Sequence, residues 1–407
     1  MGKRVLILVE GGSNMRLYVQ AAQGLGLHPI ILSANPAQYD HLAAEDIEAI
    51  RVDTDNLDAL IAECSRLRAT YDIAGITSAV EWTYATAGKL CRHFDLPGPN
   101  PASIERCCNK FAQRQLLAEA GVPVPSYRLA ANATEVESSA AEIGLPVIVK
   151  PAVGSGSVGV RLCRTADELA EHMTYLLGAM HILWPSPRIL VEEFAQGQQY
   201  TAQIMGNEVI GIEAADLDPP PHFVFRQWVF PATLTDNQRE RIADVSQNCL
   251  RALGLGWGPT NIEFRWTKRG PVVIEVNPRM PGFPDPQLVQ LAYGLDLVTE
   301  HIKLVIGDEW DLRRRHSHIA AARNLVPDRD GTLDWITGDS QAAAVSGVTE
   351  VKLYVEPKTP IVRKGDYRDC LGYVIAVSLS LPETEVALQR AVDLIDWSII
   401  PFAAEEE

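Results

Sequence analysis

TNIEFRW at residues 260–266 and PVVIEVNPR at residues 271–279, joined by the turn TKRG at residues 267–270, are the two segments that decide the fold. Side chains alternate between the two faces of a β-strand. In both segments this alternation separates apolar residues from residues with oxygen-bearing side chains. We therefore predict an antiparallel hairpin with one face on a core and the other face lined with cation ligands.

The polar face of this hairpin is predicted to carry a pair of carboxylates. It consists of Asn261, Glu263 and Arg265 from the first segment and of Val273, Glu275 and Asn277 from the second. A register that sets Glu263 opposite Glu275 also sets Asn261 opposite Asn277. Carboxylates this close repel each other unless a cation lies between them, and all-oxygen ligands suit Mg²⁺ that also binds phosphates. The alternative is a solvent-facing hairpin with ordinary polar residues. The run ExNPR disfavours it, since a proline fixes the chain just after the polar face.

The overall composition is that of a globular protein. Of the 407 residues 47% are hydrophobic and 22% are charged, and the net charge is −16. This sign excludes a protein that coats nucleic acid. The seven cysteines show no metal-binding spacing, so we interpret them as reduced thiols. The N-terminal apolar run is too short for a signal peptide, and no stretch approaches the ~18 apolar residues of a membrane span, so we expect a cytoplasmic enzyme.

The first hundred residues alternate short apolar runs with amphipathic stretches. The runs are RVLILV (4–9), HPIILS (28–33), AIRVD (49–53) and IAGITS (73–78). Strands that alternate with helices predict a parallel, doubly wound sheet. The loop GGSN at residues 11–14 is not GxGxxG, which argues against an NAD-dependent oxidoreductase.

Two further segments carry candidate ligand-binding residues. PVIVKP at residues 146–151 places Lys150 at the end of a strand, and the small-residue loop VGSGSVGV follows at residues 153–160. Such a loop lets backbone N–H groups approach phosphate oxygens, although many glycine-rich loops are plain turns. In ILVEEFAQG, at residues 189–197, two adjacent carboxylates interrupt an apolar strand. This segment is either a strand that runs out into solvent or a hinge whose backbone and Glu side chains contact an adenine edge.

Helix signals divide the rest of the chain. Residues 100–121 predict a helix with a break near Asn109, because the apolar stripe restarts after it. Thr235 and Gly254 are the expected cap and stop of a second helix. A last helix is predicted to begin at Pro382, with an apolar face that extends to Ile399.

The order of these segments resembles the ATP-grasp enzymes. The matching runs are NKFAQRQLLAEAGVPVP (109–125), PVIVKPAVGSGSVGV (146–160), ILVEEFAQG (189–197), NIEF (261–264) and IEVNPR (274–279). Together with the N-terminal part and the tail, the likeness spans nearly the whole chain. It is closest to the carboxylate–amine ligases that form amide or dipeptide bonds, often called L-amino-acid ligases.

The resemblance implies an α/β protein with an ATP-grasp fold in three parts. These are an N-terminal parallel α/β domain (1–100), a small lid domain (101–187), and a larger antiparallel α+β domain with a C-terminal lobe (188–407).

The resemblance also implies a role for each matching residue. ATP binding is assigned to Lys110, Lys150, Ser155, Gly156, Ser157, Glu192, Glu193, Phe194, Ala195 and Gln199. The metal ligands are Glu263, Glu275 and Asn277, and the catalytic residues are Arg279 and Lys150. Lys150 would neutralise charge on the phosphates, and Arg279 would steady the substrate carboxylate and its acyl phosphate. The alternatives are that Lys110 is a solvated helix lysine and that Phe194 is a core residue.

Several positions depart from the family pattern. Gln199 stands where a carboxylate usually binds the ribose, and Asn261 stands where many relatives have His. The segment MPGFPDP (280–286) replaces a Gly-Gly pair beside the substrate. The loop DLDPPPHFVFRQWVF (216–230) offers substrate-selecting candidates, or is a plain surface loop. The candidates are His222, Phe223, Arg226, Trp228 and, beyond the loop, Arg279.

The function implied is ATP-dependent ligation of a small carboxylate to an amine through an acyl phosphate, with release of ADP and phosphate, in the biosynthesis of a specialised metabolite. The cofactors implied are ATP and Mg²⁺, with Mn²⁺ as a substitute. The expected partners are amino-acid-like substrates and a second copy in a homodimer, without nucleic acid or membrane. The rival within the superfamily is a carboxylase of the biotin-carboxylase or purine-pathway type that uses bicarbonate. A non-catalytic nucleotide-binding module is a further alternative.

Overall fold

The structure is a computed structural model that describes residues 2–39, 47–183 and 188–403. Its N-terminal sheet consists of β1 (Arg4–Val9), β2 (His28–Ser33), β3 (Glu48–Arg51) and β4 (Asp72–Thr77). These strands lie parallel in the order β3-β2-β1-β4. The helices that follow are α1 (Met15–Gly24), α2 (Leu57–Arg68) and α3 (Glu81–His93). Alternate residues of β1 pack towards α1 on one face and towards α2 and α3 on the other. The predicted parallel, doubly wound sheet is confirmed.

A second, smaller sheet follows. Its strands are β5 (Tyr127–Ala130), β6 (Val147–Pro151), β7 (Arg161–Cys163) and β8 (Ile189–Glu193), and the helices of this region are α4 (Pro101–Cys108), α5 (Lys110–Glu119), α6 (Ala133–Ile143) and α7 (Ala166–Leu183). The strands are antiparallel in the order β5-β8-β6-β7, and α6 and α7 cover one face.

The break predicted near Asn109 is confirmed. Asn109 separates α4 from α5, and its side-chain oxygen accepts hydrogen bonds from the backbone N–H groups of Phe111 and Ala112. A side-chain oxygen that satisfies the first free N–H groups of a helix fixes where that helix starts. The break therefore sets the position of Lys110, the first residue of α5.

The remainder of the chain forms one large sheet and one small one. Its strands are β9 (Gln198–Met205), β10 (Glu208–Leu217), β11 (Phe225–Phe230), β12 (Pro259–Thr267), β13 (Gly270–Asn277), β14 (Ile319–Leu325), β15 (Gly331–Thr337), β16 (Val348–Leu353), β17 (Pro360–Ile361), β18 (Gly372–Ser378) and β19 (Asp396–Ile400). Its helices are α8 (Asp236–Leu253), α9 (Asp285–Tyr293), α10 (Leu297–Ile306), α11 (Asp339–Ala343) and α12 (Leu381–Leu394). The eight-stranded antiparallel sheet has the order β13-β12-β9-β10-β11-β14-β18-β16, and β17-β15-β19 form the three-stranded sheet.

The predicted hairpin is β12 and β13, and it has the register that brings the two carboxylates together. Glu263 lies opposite Glu275, and Asn261 lies opposite Asn277. The register then shifts, so that Phe264 pairs with Val273. The extra residue of this bulge reverses the faces beyond it.

The face predicted for Val273 was therefore wrong. Val273 is fully buried in the core with Phe264 and Val276, and Ile274 takes its place on the ligand side.

Two helix ends also bear on the sequence predictions. Thr235 forms a capping box with Gln238, and Gly254 ends α8 in the left-handed conformation, as predicted. The last helix is shorter than predicted, because α12 ends at Leu394 and Ile399 lies in β19. In the part of the chain that the structure describes, none of the helices combines the length and apolarity needed to span a bilayer.

The domain boundaries after residues 100 and 187 stay predictions. Residues 184–187 lie outside the described part of the chain. Two observations bear on the boundaries: β8 pairs with β5 and β6 of the small sheet, and α4 and α5 pack on the core beneath the large sheet through Cys107 and Leu117.

Candidate active site

The carboxylate pair of the β12–β13 hairpin lies beside the first residue of α5. The Lys110 Nζ atom is 2.6 Å from the Glu275 carboxylate. Gln199 donates a hydrogen bond of 3.1 Å to the Glu263 carboxylate. Asn277 donates to the side-chain oxygen of Asn261 over 3.2 Å. The two predicted carboxylates and the amide thus converge, and Lys110 is a buried partner of Glu275 rather than a solvated lysine.

The two carboxylates titrate differently because their neighbours differ. Burial and the adjacent Glu275 carboxylate raise the pKa of Glu263 to about 7. Burial would also raise the pKa of Glu275, but the Lys110 ammonium outweighs it and holds that pKa below its usual value. A charged carboxylate beside a second carboxylate whose pKa is raised is an arrangement that an added cation would stabilise.

The residues of this hairpin fit a magnesium ion bound together with phosphates. Within the described ranges, no three His, Cys, Asp or Glu side chains converge to hold a metal by themselves. Glu263, Glu275 and the Asn277 amide supply only oxygen donors of the hard type that Mg²⁺ prefers. Mg²⁺ is usually held by one or two carboxylates plus substrate phosphates, so the remaining ligands would come from a nucleotide.

A second charged network lies on the small-sheet side of the cleft. The Lys150 Nζ atom is 2.5 Å from one oxygen of Glu192, and the Arg114 Nε atom is 2.5 Å from the other. All three side chains are buried. Arg114 also donates to the backbone carbonyl of Ile274, which joins the network to the hairpin. Desolvation lowers the pKa of Lys150 despite the attraction of Glu192, whereas Arg114 and Lys150 together hold the pKa of Glu192 below its usual value against the effect of burial.

The cleft between the two sheets contains a cavity lined by most of the residues assigned to ATP. The predicted residues that line it are Lys150, Ser157, Glu192, Glu193, Phe194, Ala195, Gln199 and Glu263. The remaining wall is largely apolar and was not assigned from the sequence, apart from Phe223. It consists of Pro125, Ile148, Val160, Leu217, Phe223, Phe225, Arg265 and Ile274. A half-open slot with apolar walls and a few charged groups suits a flat base with phosphates attached.

Both carboxylates of the hinge segment have protein partners, although both residues line the cavity. Glu192 is held by the Lys150–Arg114 network, and the Glu193 carboxylate accepts from Arg269 over 2.8 Å and from the Ser126 N–H over 3.1 Å. Contact of this segment with an adenine edge stays a prediction.

The small-residue loop at residues 153–160 borders the cavity through Ser157 and Val160. Gly154, Gly156 and Ser157 all have positive φ, at +148°, +66° and +62°. Lys110 Nζ donates to the Gly154 carbonyl over 2.5 Å, so the same ammonium contacts the loop and Glu275. Glycine adopts such φ values without steric cost, which explains the small residues in this loop.

Arg279 lies two residues beyond the end of β13, next to Glu81, which the sequence analysis did not identify. Its Nε atom is 3.7 Å from the Glu81 carboxylate, and its Nη1 donates to the Met280 carbonyl over 3.0 Å. Burial and nearby Glu275 raise the pKa of Glu81, with Arg279 acting in the opposite direction. Glu81 is the first residue of α3, so the N-terminal domain contributes to this site through the loop after β4.

The sequence analysis also did not identify three polar residues of the large sheet and of α9. They are Gln203, Glu213 and Asp285. Gln203 on β9 donates to the Asp285 carboxylate over 2.7 Å. Glu213 on β10 is 1% exposed, and among the described residues one of its carboxylate oxygens has no hydrogen-bond partner. Burial is the main reason that the pKa of Asp285 rises to about 6 and that the pKa of Glu213 rises well above its usual value.

The candidates in the loop at residues 216–230 separate into two places. Phe223 lines the cavity between the small and large sheets. His222 and Arg226 line a neighbouring cavity of about 450 Å³, where Arg226 pairs with Asp218. The Trp228 ring stacks on Phe225, with ring centres 5.2 Å apart.

Comparisons with known proteins agree with this geometry. Residues 109–313 match the family model "Carbamoyl-phosphate synthase L chain, ATP binding domain", and residues 323–399 match "L-amino acid ligase C-terminal domain 2". The chain belongs to the ATP-grasp family: it is a carbon–nitrogen ligase of this family, with ATP and Mg²⁺ as cofactors.

Individual proteins resemble it to different degrees. The y4rH protein of Sinorhizobium fredii is 64% identical over 98% of this chain and 84% of its own length. Carnosine synthase 1 of Mus musculus is 27% identical over 75% of this chain, and the match covers 40% of the length of that protein. The crystal structure of L-amino acid ligase from Bacillus licheniformis has a TM-score of 0.82 at 18% identity, over 98% of this chain and 100% of that one. This structural likeness confirms the ATP-grasp fold, with its parallel N-terminal sheet and its antiparallel later sheets.

Proposed function

We propose that this enzyme joins a small carboxylate to an amine through an acyl phosphate and releases ADP and phosphate. One observation carries the proposal. Glu275 lies between Lys110 and Glu263, Glu263 lines a cavity between the small and large sheets, and Glu81 links this group to Arg279. The match to an L-amino acid ligase domain at residues 323–399 supports an amino-acid-like substrate.

In this proposal the apolar part of the cavity holds the adenine between Phe223, Ile148 and Ile274, and the backbone at residues 194–195 meets the base edge. Lys150 lies next to Glu192 in the same cavity and would contact the phosphates. Gln199 hydrogen-bonds to Glu263, and its amide would contact the ribose hydroxyls beside the metal carboxylates.

The substrate carboxylate would approach the γ-phosphate beside Arg279. A carboxylate oxygen forms a bond to the γ-phosphorus while the bond to the bridging oxygen of ADP breaks, which gives an acyl phosphate and ADP. Bound Mg²⁺, held by Glu263, Glu275 and Asn277, would neutralise the charge of the transferring phosphoryl group.

The amine completes the reaction. It attacks the acyl carbon, phosphate leaves with the former carboxylate oxygen, and the amine loses a proton. Arg279 would stabilise the negative oxygen of the tetrahedral intermediate, because a guanidinium matches the geometry of two oxygens. The loop at residues 153–160 would exclude water from the acyl phosphate.

The proposal is tested with a matrix of carboxylates against amines, in which ADP release and product mass are measured together. ADP release that requires both substrates, with an amide of the summed mass less water, supports it. ADP release that requires bicarbonate in place of the carboxylate would establish the carboxylase alternative. AMP as the main nucleotide product would exclude the acyl-phosphate route.

The remaining parts of the proposal concern the setting of the enzyme. We infer a cytoplasmic homodimer that serves a specialised biosynthetic pathway, as expected from the family resemblance. Light scattering of the purified protein would measure the dimer directly.

A further inference from the structure

The loop at residues 153–160 is held from two sides. On one side Lys110 binds the Gly154 carbonyl and Glu275 together, which ties the loop to the carboxylate pair. Ser157 and Val160 line the cavity between the small and large sheets, so the loop forms part of its wall.

On the other side the loop meets Tyr367, which belongs to the C-terminal lobe. The backbone N–H of Tyr367 donates to the Gly156 carbonyl over 3.5 Å. Its ring lies directly on Gly156, because a Cβ atom at that position would be 2.6 Å from the ring Cδ1. The Tyr367 side chain is otherwise 63% exposed, so it contributes little to the core of its own lobe.

The turn that carries Tyr367 is held rigidly. Asp366 is 1% exposed, and its carboxylate accepts from the Arg368 N–H and pairs with the Arg368 guanidinium at 2.5 Å. The Asp369 carboxylate accepts from the backbone N–H groups of Lys364 and Gly365 over 2.6 and 2.8 Å. A preformed turn loses little entropy when its tip makes a contact, so the ring is already in place when the loop arrives.

We propose that Tyr367 is a positioning residue that holds the 153–160 loop closed over the nucleotide. Through Gly156 the C-terminal lobe thereby acts on the ATP site of the other domain. This inference rests on the proposed function for its consequence. If the loop opens early, water hydrolyses the acyl phosphate. The carboxylate is regenerated, inorganic phosphate is released, and ADP accumulates without amide.

The test compares Tyr367→Ala with Tyr367→Phe, and Trp335→Ala serves as the control. Trp335 is a 39% exposed aromatic residue on β15 of the same lobe. ADP and amide are measured in the same reaction. We expect the ratio of ADP to amide to rise about fivefold in Tyr367→Ala, which corresponds to ~1 kcal/mol of loop closure at ~1.4 kcal/mol per tenfold. Tyr367→Phe and Trp335→Ala should keep the wild-type ratio.

A second readout needs no ligation. The dissociation rate of a fluorescent ATP analogue, measured with Mg²⁺ alone, should rise by a similar factor in Tyr367→Ala and stay unchanged in Tyr367→Phe. A folded Tyr367→Ala protein with the wild-type rate and ratio would overturn the proposal. If the wild type yields no amide from any substrate pair, the proposed function fails, and the dissociation rate alone decides the role of Tyr367.

A double-mutant cycle tests whether the contact with Gly156 is the cause. Gly156→Ala introduces a Cβ that clashes with the ring, in addition to the strain of its positive φ. In combination with Tyr367→Ala the clash disappears and only the strain remains. The effect of Gly156→Ala on analogue dissociation should therefore be smaller in the Tyr367→Ala background, whereas equal effects in both backgrounds would contradict the contact.

Discussion

Glu275→Gln is the substitution that most strongly challenges the proposed metal site. Glu275 is paired with Lys110 at 2.6 Å and lies opposite Glu263 on the next strand. The change keeps the size and the hydrogen-bonding shape of the side chain and removes one negative charge. What is lost is the partner of a buried ammonium and a ligand that serves the transferring phosphate.

The expected loss follows from the position of this carboxylate beside the proposed metal. Glu275 lies 2.6 Å from Lys110 and opposite Glu263, so its removal disturbs both the cation and the ligand set that would face the phosphates. Loss of one such electrostatic contact raises the activation barrier by about 3 kcal/mol. At about 1.4 kcal/mol per tenfold, ~3 kcal/mol corresponds to a turnover lowered by roughly a hundredfold.

Glu263→Gln is the matched control for this loss. The hydrogen-bond partner of Glu263 is the neutral Gln199, so Glu263→Gln leaves no buried cation without its ion-pair partner. We expect a loss of about tenfold, or ~1.4 kcal/mol, that extra Mg²⁺ partly restores.

The assay measures ADP formation against Mg²⁺ concentration for both variants, with circular dichroism as the folding control. A folded Glu275→Gln enzyme that keeps more than about a tenth of wild-type turnover, or ~1.4 kcal/mol of barrier, would refute the assignment of this strand to the metal.

Three other predictions concern individual side chains and their contacts. Lys150→Met should lower ATP turnover by more than about a hundredfold and also lower the melting temperature, because it leaves the buried Glu192 with one cation fewer; wild-type turnover of the purified variant would rule out a phosphate role. Arg279→Lys should raise the KM for the carboxylate and leave the KM for ATP unchanged, since lysine lacks the planar guanidinium that contacts Glu81 and would bind substrate oxygens. Steady-state kinetics in both substrates measures the two KM values, and equal changes in both would contradict this role. His301 on α10 is fully buried, and its two ring nitrogens contact the hydroxyl groups of Tyr18 and Tyr84. Burial lowers the pKa of His301 to about 3, so unfolding binds a proton between about pH 6.5 and 3, and stability should fall as pH drops through that window. Melting temperatures across this window should fall less in His301→Gln, and parallel curves would exclude this residue as the cause.

The sequence alone predicted the hairpin because strand periodicity is a local property. The register that sets Glu263 opposite Glu275 was considered for the chemistry it would allow, and the structure has it. The turn by itself would not produce this register, because the pairing of Thr267 with Gly270, continued without a shift, would set Glu263 opposite Ile274. The bulge that brings Glu275 into place could not be predicted, since one extra residue leaves no mark on the pattern. Val273 and Ile274 therefore exchange the faces that strict alternation assigns to them.

The charged partners around the site were missed because they come from distant elements. Arg114 is 78 positions from Glu192 in the sequence, and its only local signal is its position one turn after Lys110 on α5. Glu81 and Asp285 begin helices and resemble ordinary first-turn acids. The packing of the N-terminal domain and of the segment after the hairpin against the cleft gives them their roles.

The transfer of an isotope label tests the acyl phosphate most directly. The carboxylate identified in the substrate matrix is labelled with ¹⁸O, and the products are separated after one turnover with ATP and the amine. The proposed route moves one labelled oxygen from the carboxylate to inorganic phosphate, with ADP as the nucleotide product. Unlabelled phosphate, or label that is recovered in AMP, would contradict it.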